Sequence, residues 1–205
     1  FPTDELALTA ARALVAGGAD ILEIQLPFSD PSADGPAIQS ACTEVLERKY
    51  RTADGLKFIE TLHKEFPNVA LYIMSYGSLI YTPGVKEFCK KAASVGVTGM
   101  IIPDLPFDFD EGLTEACKEN GMINIPVAAP SMSEERLSKL AHAGFPYIYG
   151  GFGISNGDQS GALADAVDAV VAGSVFVRII TENKDDKDKL YEAVKAKTEE
   201  ITHLK

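Results

Sequence analysis

The stretch that decides the fold runs Ala19-Asp20-Ile21-Leu22-Glu23-Ile24-Gln25-Leu26-Pro27-Phe28-Ser29-Asp30-Pro31-Ser32-Ala33-Asp34-Gly35-Pro36. Ile21–Leu26 is β-branched and apolar, and it predicts a strand. The Pro-, Asp- and Gly-rich residues that follow predict a loop. Pro36 predicts a helix start, because its missing N–H is not needed at a first helical position. Side chains alternate along a strand, so Ile21, Glu23 and Gln25 share one face, and Leu22, Ile24 and Leu26 the other. A strand whose apolar side packs on helices turns Glu23 and Gln25 the other way. In a closed β/α barrel that is the inner side, near the strand end where such active sites sit. Burial there would raise the carboxyl pKa and suit Glu23 to proton transfer; a core glutamate neutralised by a salt bridge is the alternative. Asp30, before a proline, reads best as a turn former. Asp34, at a strand-to-helix mouth, is either a turn residue or a second working carboxylate.

Working outward, helical and strand patterns alternate. A first helix is predicted over Thr3–Ala16, with Thr3 as cap, Leu6, Ala10, Leu14 and Val15 as stripe, and Gly17-Gly18 as stop. Pro36 opens a second helix carrying Ile38, Ala41, Val45 and Leu46, and a third covers Ala53–Phe66 before Pro67. Strands are expected at Val69–Met74, Thr98–Ile102, Ile123–Ala128, Tyr147–Tyr149 and Asp168–Ala172. Helices are expected at Pro83–Val95 (capped by Thr82), Glu111–Asn120, Glu134–Ala143 (capped by a Ser131/Glu134 box), Ser174–Glu182 and Lys187–His203. Strands separated by helices mean parallel βαβ units. No linker-like shift in composition occurs, so residues 1–205 read as one domain. An open doubly wound sheet and a closed (β/α)8 barrel both fit, but the six strands found here fall short of eight, and a barrel typically takes about 250 residues.

Composition narrows the function. Lys plus Arg number 19 and Asp plus Glu 30, giving a formal charge of −11. Such a chain is not built to neutralise nucleic-acid or anionic-membrane phosphates. With 46% apolar and 24% charged residues it is globular. No apolar run is long enough for a membrane span, and no signal peptide is visible. The expected compartment is cytoplasmic; because the sequence starts at Phe1, a leader and a plastid address stay open. Cys42, Cys89 and Cys117 are widely spaced and read as reduced thiols. His63, His142 and His203 read as surface residues, so neither a metal site nor a Ser-His-Asp triad is expected. Gly151-Phe152-Gly153 and Gly173-Ser174 each follow a predicted strand. Backbone N–H groups at such positions bind anions, and barrels often hold phosphate there; turn glycines and a capping serine are the alternative.

The Ala19–Pro36 run closely resembles the signature of the tryptophan synthase alpha subunit family. Gln39, Tyr76, Pro103-Asp104-Leu105-Pro106, Gly151-Phe152-Gly153-Ile154-Ser155 and Gly173-Ser174 extend the resemblance along nearly the whole chain. It implies a (β/α)8 TIM barrel that cleaves indole-3-glycerol phosphate to indole and glyceraldehyde 3-phosphate. It implies catalytic roles for Glu23 and Asp34, and substrate contacts from Tyr76, Tyr149, Phe152, Gly153, Gly173 and Ser174. No cofactor is implied for this chain; pyridoxal phosphate is expected only in a partner beta subunit, within an alpha2beta2 heterotetramer. The Pro27–Pro31 loop and the Tyr76–Ile80 region match the side facing that partner. The sequence departs from the family in three ways. The first strand is absent before Phe1, the segment around the seventh strand is absent after Tyr149, and Gln25 and Ser32 replace a usual glycine and a larger apolar residue. The first two departures account for the strand count. A non-catalytic alpha-like subunit that activates a beta partner, and another phosphate-binding barrel enzyme, are the competing readings.

Overall fold

The computed structural model describes residues 1–128, 132–150, 154–164 and 169–202. The first helix, α1 (Asp4–Ala16), starts where expected, with the Leu6 N–H donated to the Thr3 hydroxyl at 3.3 Å. It is followed by β1 (Ile21–Gln25), then α2 (Pro36–Glu47) and α3 (Thr52–Glu65). Next come β2 (Ala70–Met74), α4 (Gly77–Tyr81), α5 (Val85–Ser94), β3 (Gly99–Ile101) and α6 (Leu113–Glu119). The order continues with β4 (Ile123–Asn124), β5 (Val127–Ala128), α7 (Glu134–Ala141) and β6 (Tyr149–Gly150). Helices α8 (Gly157–Ala164), α9 (Ser174–Asn183) and α10 (Lys187–Thr202) close the list.

The strands decide between the two architectures. One sheet has the order β1-β2-β3-β4, with β2, β3 and β4 parallel. Strands β5 and β6 pair in parallel as a second sheet. The predicted strand over Ile123–Ala128 is broken at Ile125-Pro126. The Ile125 N–H still bonds the Met100 carbonyl at 2.9 Å, while the Pro126 carbonyl accepts from the Tyr149 N–H at 2.9 Å. Proline has no N–H to give, so the ladder changes neighbours at that residue. Along both sheets the spatial order follows the chain order. A doubly wound sheet would reverse its order at a switch point, and none occurs among the described strands.

The described chain falls into two compact units, Phe1–Leu22 with Asp34–Tyr50 and Phe152–Lys205, and Glu23–Ala33 with Arg51–Gly151. In the first, α1 packs on α10 through Leu6, Ala10, Ala13, Leu190 and Val194, with Phe176 and Ile179 of α9 alongside. Gly17 sits hard against α10, where a Cβ would lie 2.5 Å from Thr198 Cβ. In the second, Met74, Ile101 and Ile125 continue the β2–β3–β4 register and cluster with Tyr76. Phe28, Tyr72, Ile123, Val127 and Tyr149 pack around them.

Several expectations need correction. Ala169–Ala172 are not paired as a strand, and Asp168 lies outside the described residues. A last barrel strand bonds to the first and seventh, and neither has a counterpart among the described residues. Thr82 does not cap a helix start. It ends α4, its hydroxyl donating to the Ser78 carbonyl at 2.8 Å, and Gly84 precedes α5 instead. Helix α7 is capped by Ser133, which accepts the Arg136 N–H at 3.3 Å; Ser131 lies outside the described residues. Helix α8 was not expected in so glycine-rich a stretch, yet Asn156 caps it by accepting the Gln159 N–H at 2.9 Å. Cys89 and Cys117, far apart in sequence, meet between α5 and α6 with sulfurs 4.0 Å apart, both buried and unbridged. The bond to Cys89, and then burial, push the Cys117 thiol up. His63 and His142 are exposed as expected, and His203 lies outside the described residues.

Gly99 gives a direct test of the β2–β3 packing. A Cβ there would fall 2.7 Å from the Tyr72 ring. Gly99→Ala is expected to cost about 1–3 kcal/mol of stability, read as a lower urea or thermal midpoint. An unchanged midpoint would show that the ring moves aside freely.

Candidate active site

Strand β1 keeps the predicted alternation. Leu22 and Leu26 are buried, and Glu23 is on the opposite face. Glu23 is exposed, however, so the expectation that the protein itself desolvates this carboxyl is corrected. Alternation fixes which face a residue takes but not whether anything covers that face. The pairing of β1 with β2 continues past its end, where the Leu26 N–H donates to the Met74 carbonyl at 3.0 Å.

The loop that follows is tied down along its length. The Phe28 ring stacks on Tyr76, with centroids 5.0 Å apart and planes inclined by 23°. The Ser29 hydroxyl donates to the Asp30 carboxylate at 2.7 Å, and the Ser32 N–H to the Asp30 carbonyl at 2.8 Å. Asp30 is therefore the turn former expected of it. The Ala33 N–H donates to the Tyr76 hydroxyl at 3.0 Å. Asp34 is half-buried, and its carbonyl accepts from Gln39 Nε2 at 2.9 Å. Gly35 caps α2 without a side chain, and its carbonyl accepts from Ile38 and Gln39.

Tyr76 and Tyr149 come together in the apolar cluster on the β2–β6 strands. Tyr76 is only 1% exposed and Tyr149 is half-buried. Sequence reading missed two members of this cluster, Phe28 and Tyr72. The period-2 pattern Tyr72, Met74, Tyr76 was the available signal for Tyr72. Burial pushes the Tyr72 phenol up. After β3, Asp104 accepts the Gly77 N–H with both oxygens, at 3.0 and 3.1 Å. Arg136 forks onto Asp108 at 2.7 and 3.1 Å and lies over the Phe107 ring. That hydrogen-bonded guanidinium holds the Asp108 carboxyl below its usual range.

Gly173 and Ser174 stand at the start of α9. Gly173 is exposed, and its cap position uses no side chain. The first N–H groups of a helix have no acceptor within it, so this end suits an anion. A Cβ on Gly173 would lie 3.8 Å from Ile38 Cδ1, which sets the start of α9 beside the first turn of α2, next in sequence to Asp34 and Gly35. Phe152 and Gly153 lie outside the described residues. Among the described residues, no three His, Cys, Asp or Glu side chains group to hold a metal ion, and no helix is long and apolar enough to cross a membrane.

Comparison with known proteins supplies the context for these residues. The family profile described as "Tryptophan synthase alpha chain" matches residues 1–150. The tryptophan synthase alpha chain of Helicobacter hepaticus is 34% identical over 221 residues, covering 89% of this chain and 83% of its own length. That of Methanosarcina barkeri is 34% identical over 222 residues, covering 92% and 83%. Both spans exceed the 205 residues present here. The relatives therefore carry internal residues without counterpart in this chain. The crystal structure of tryptophan synthase subunit alpha from Legionella pneumophila str. Paris matches with a TM-score of 0.87 at 26% identity, over 99% of this chain and 88% of its own. A chain of the tryptophan synthase complex from Pyrococcus furiosus matches with a TM-score of 0.84 at 26% identity, over 98% and 93%. The fold is thus the (β/α)8 barrel type expected from the sequence, and the chain belongs to the tryptophan synthase alpha chain family.

Proposed function

We propose that Glu23 and Asp34 are the working carboxylates of this chain, and that Gly173 and Ser174 receive the substrate's phosphate. The reaction is that of the family: cleavage of indole-3-glycerol phosphate to indole and glyceraldehyde 3-phosphate, in tryptophan biosynthesis. The chain is a lyase and an alpha subunit, and the tryptophan synthase beta chain is its partner. One observation carries the assignment of residues. The Ile21–Pro36 run folds as strand, tied loop and helix start, with Glu23 opposite the buried leucines and Asp34 just before the cap of α2.

The chemistry needs few groups. The carbon of the indole ring that bears the glycerol chain is protonated, so the ring can accept the electron pair of the breaking C–C bond. The hydroxyl on the neighbouring carbon loses its proton and becomes the aldehyde carbonyl. A carboxyl at Glu23 can carry protons in these steps, a contribution typically of about 10²–10⁴-fold. Protonation places positive charge on the ring nitrogen, and an ionised Asp34 that accepts its N–H stabilises that charge. Because Glu23 is exposed in the free chain, this reading has the bound indole ring, not the protein core, exclude water from it. The apolar cluster holding Tyr149 supports an aromatic substrate. Phe152 and Gly153 keep the pocket-lining and phosphate roles that the resemblance implies. Residues 1–205 act as one domain in this reading. The unbridged buried thiols support a reducing, cytoplasmic setting.

Two substitutions test the assignment. Glu23→Gln changes an exposed group at constant shape, so the unfolding midpoint should hold while indole release falls at least about 10²-fold; full turnover would remove Glu23 from the chemistry. Ser174→Asp puts a carboxylate where the helix favours one, so α9 should keep its stability. The same charge should repel phosphate and raise the KM for indole-3-glycerol phosphate roughly tenfold. An unchanged KM would place the phosphate elsewhere.

A further inference from the structure

Tyr76 is poorly placed to serve only as a wall of the substrate pocket. It is 1% exposed, two residues past the end of β2, and it holds the Pro27–Gly35 loop at Phe28 and at Ala33. Its ring takes Phe28, at the start of the loop, and its hydroxyl takes the Ala33 N–H, near the end. Between these points the loop is closed on itself through Ser29, Asp30 and Ser32. Beyond them, Gln39 holds the Asp34 carbonyl. Tyr76 is itself anchored from the other side, because the next residue, Gly77, gives its N–H to the Asp104 carboxylate. Gly77 is also closely packed: a Cβ there would stand 3.1 Å from Leu105 and 3.2 Å from the Tyr81 ring.

We propose that Tyr76 is a positioning residue that acts through Asp34, by fixing the backbone of the loop at Ala33, the residue before that carboxylate. The inference rests on the role given to Asp34 above. Asp34 follows the bonded N–H directly, so a turn of the Ala33 peptide swings its side chain. A carboxylate that must meet a ring N–H at hydrogen-bond distance tolerates little swing, since a misplacement of about 1 Å can cost 10²-fold in rate. A single neutral hydrogen bond adds little to global stability, so the hydroxyl should matter more to catalysis than to folding.

Tyr76→Phe removes the hydroxyl and keeps the ring against Phe28. In the full chain with its beta partner, kcat for indole formation is expected to fall about tenfold, with KM within about twofold and the melting temperature within a few degrees. Amide exchange in the peptide spanning Pro27–Gly35 should quicken about tenfold or more, with the rest of the chain unchanged. Should Tyr76→Phe fold poorly, Ala33→Pro deletes the donor without touching the core and should lower kcat to a similar extent. A higher KM at unchanged kcat would make Tyr76 a substrate contact and overturn the proposal. Unchanged exchange, or faster exchange with unchanged kcat, would overturn it as well. Loss of turnover in Glu23→Gln and Asp34→Asn, with full kcat in Tyr76→Phe, would sink the positioning role alone. Full turnover in Asp34→Asn would sink the reading on which it rests.

Discussion

Backbone hydrogen bonds between parallel neighbours hold the second unit in register, and its other features follow from that ladder. Leu26 bonds Met74, Ser75 bonds Ile101, and Ile125 bonds Met100. These bonds align Met74, Ile101 and Ile125 in one apolar row. A slip by one residue would send that row to the other face of the sheet. The same register puts Tyr76 two residues past the end of β2, in reach of the loop that leaves β1. Strand and loop are therefore not separate structures: pairing at Leu26 delivers the chain to Phe28, and Phe28 meets a ring set by β2.

This arrangement divides labour between rigid and local parts. The carboxylate of Glu23 stands on a strand, where pairing fixes the backbone. Asp34 stands on a loop, where only specific bonds can do so. The bonds from Ala33 to Tyr76 and from Gln39 to the Asp34 carbonyl supply that constraint on either side of the side chain. At α9 the constraint is different again. Gly173 leaves the first turn without a side chain above it, which suits an anion better than a neutral group.

Local signals in the sequence carried much of this. Thr3, Pro36 and Gly17 mark helix ends by their own chemistry, and the structure places those ends there. Alternation from Ile21 to Leu26 told which side Glu23 takes. What the sequence could not show depends on partners far along the chain. Tyr76 and Ala33 are 43 positions apart, and no local pattern joins a phenol to that one N–H. Cys89 and Cys117 meet only because α5 and α6 lie side by side. The exposure of Glu23 was misjudged because it depends on what stands opposite a strand. The break at Pro126 went unread, although a proline inside a predicted strand warns of lost pairing.

The seat of Gly17 on α10 has a consequence for biosynthesis. Thr202 gives its hydroxyl to the Gly17 carbonyl across 185 positions, and α1 buries its stripe on Leu190 and Val194. A nascent chain leaving the ribosome therefore cannot close α1 onto α10 until α10 has been translated. Contacts of such sequence separation form slowly, and bare apolar helices invite association with other chains. The second unit, drawn mostly from one continuous span, faces no such wait. Synthesis order thus keeps the α1–α10 seam open until α10 emerges, long after α1.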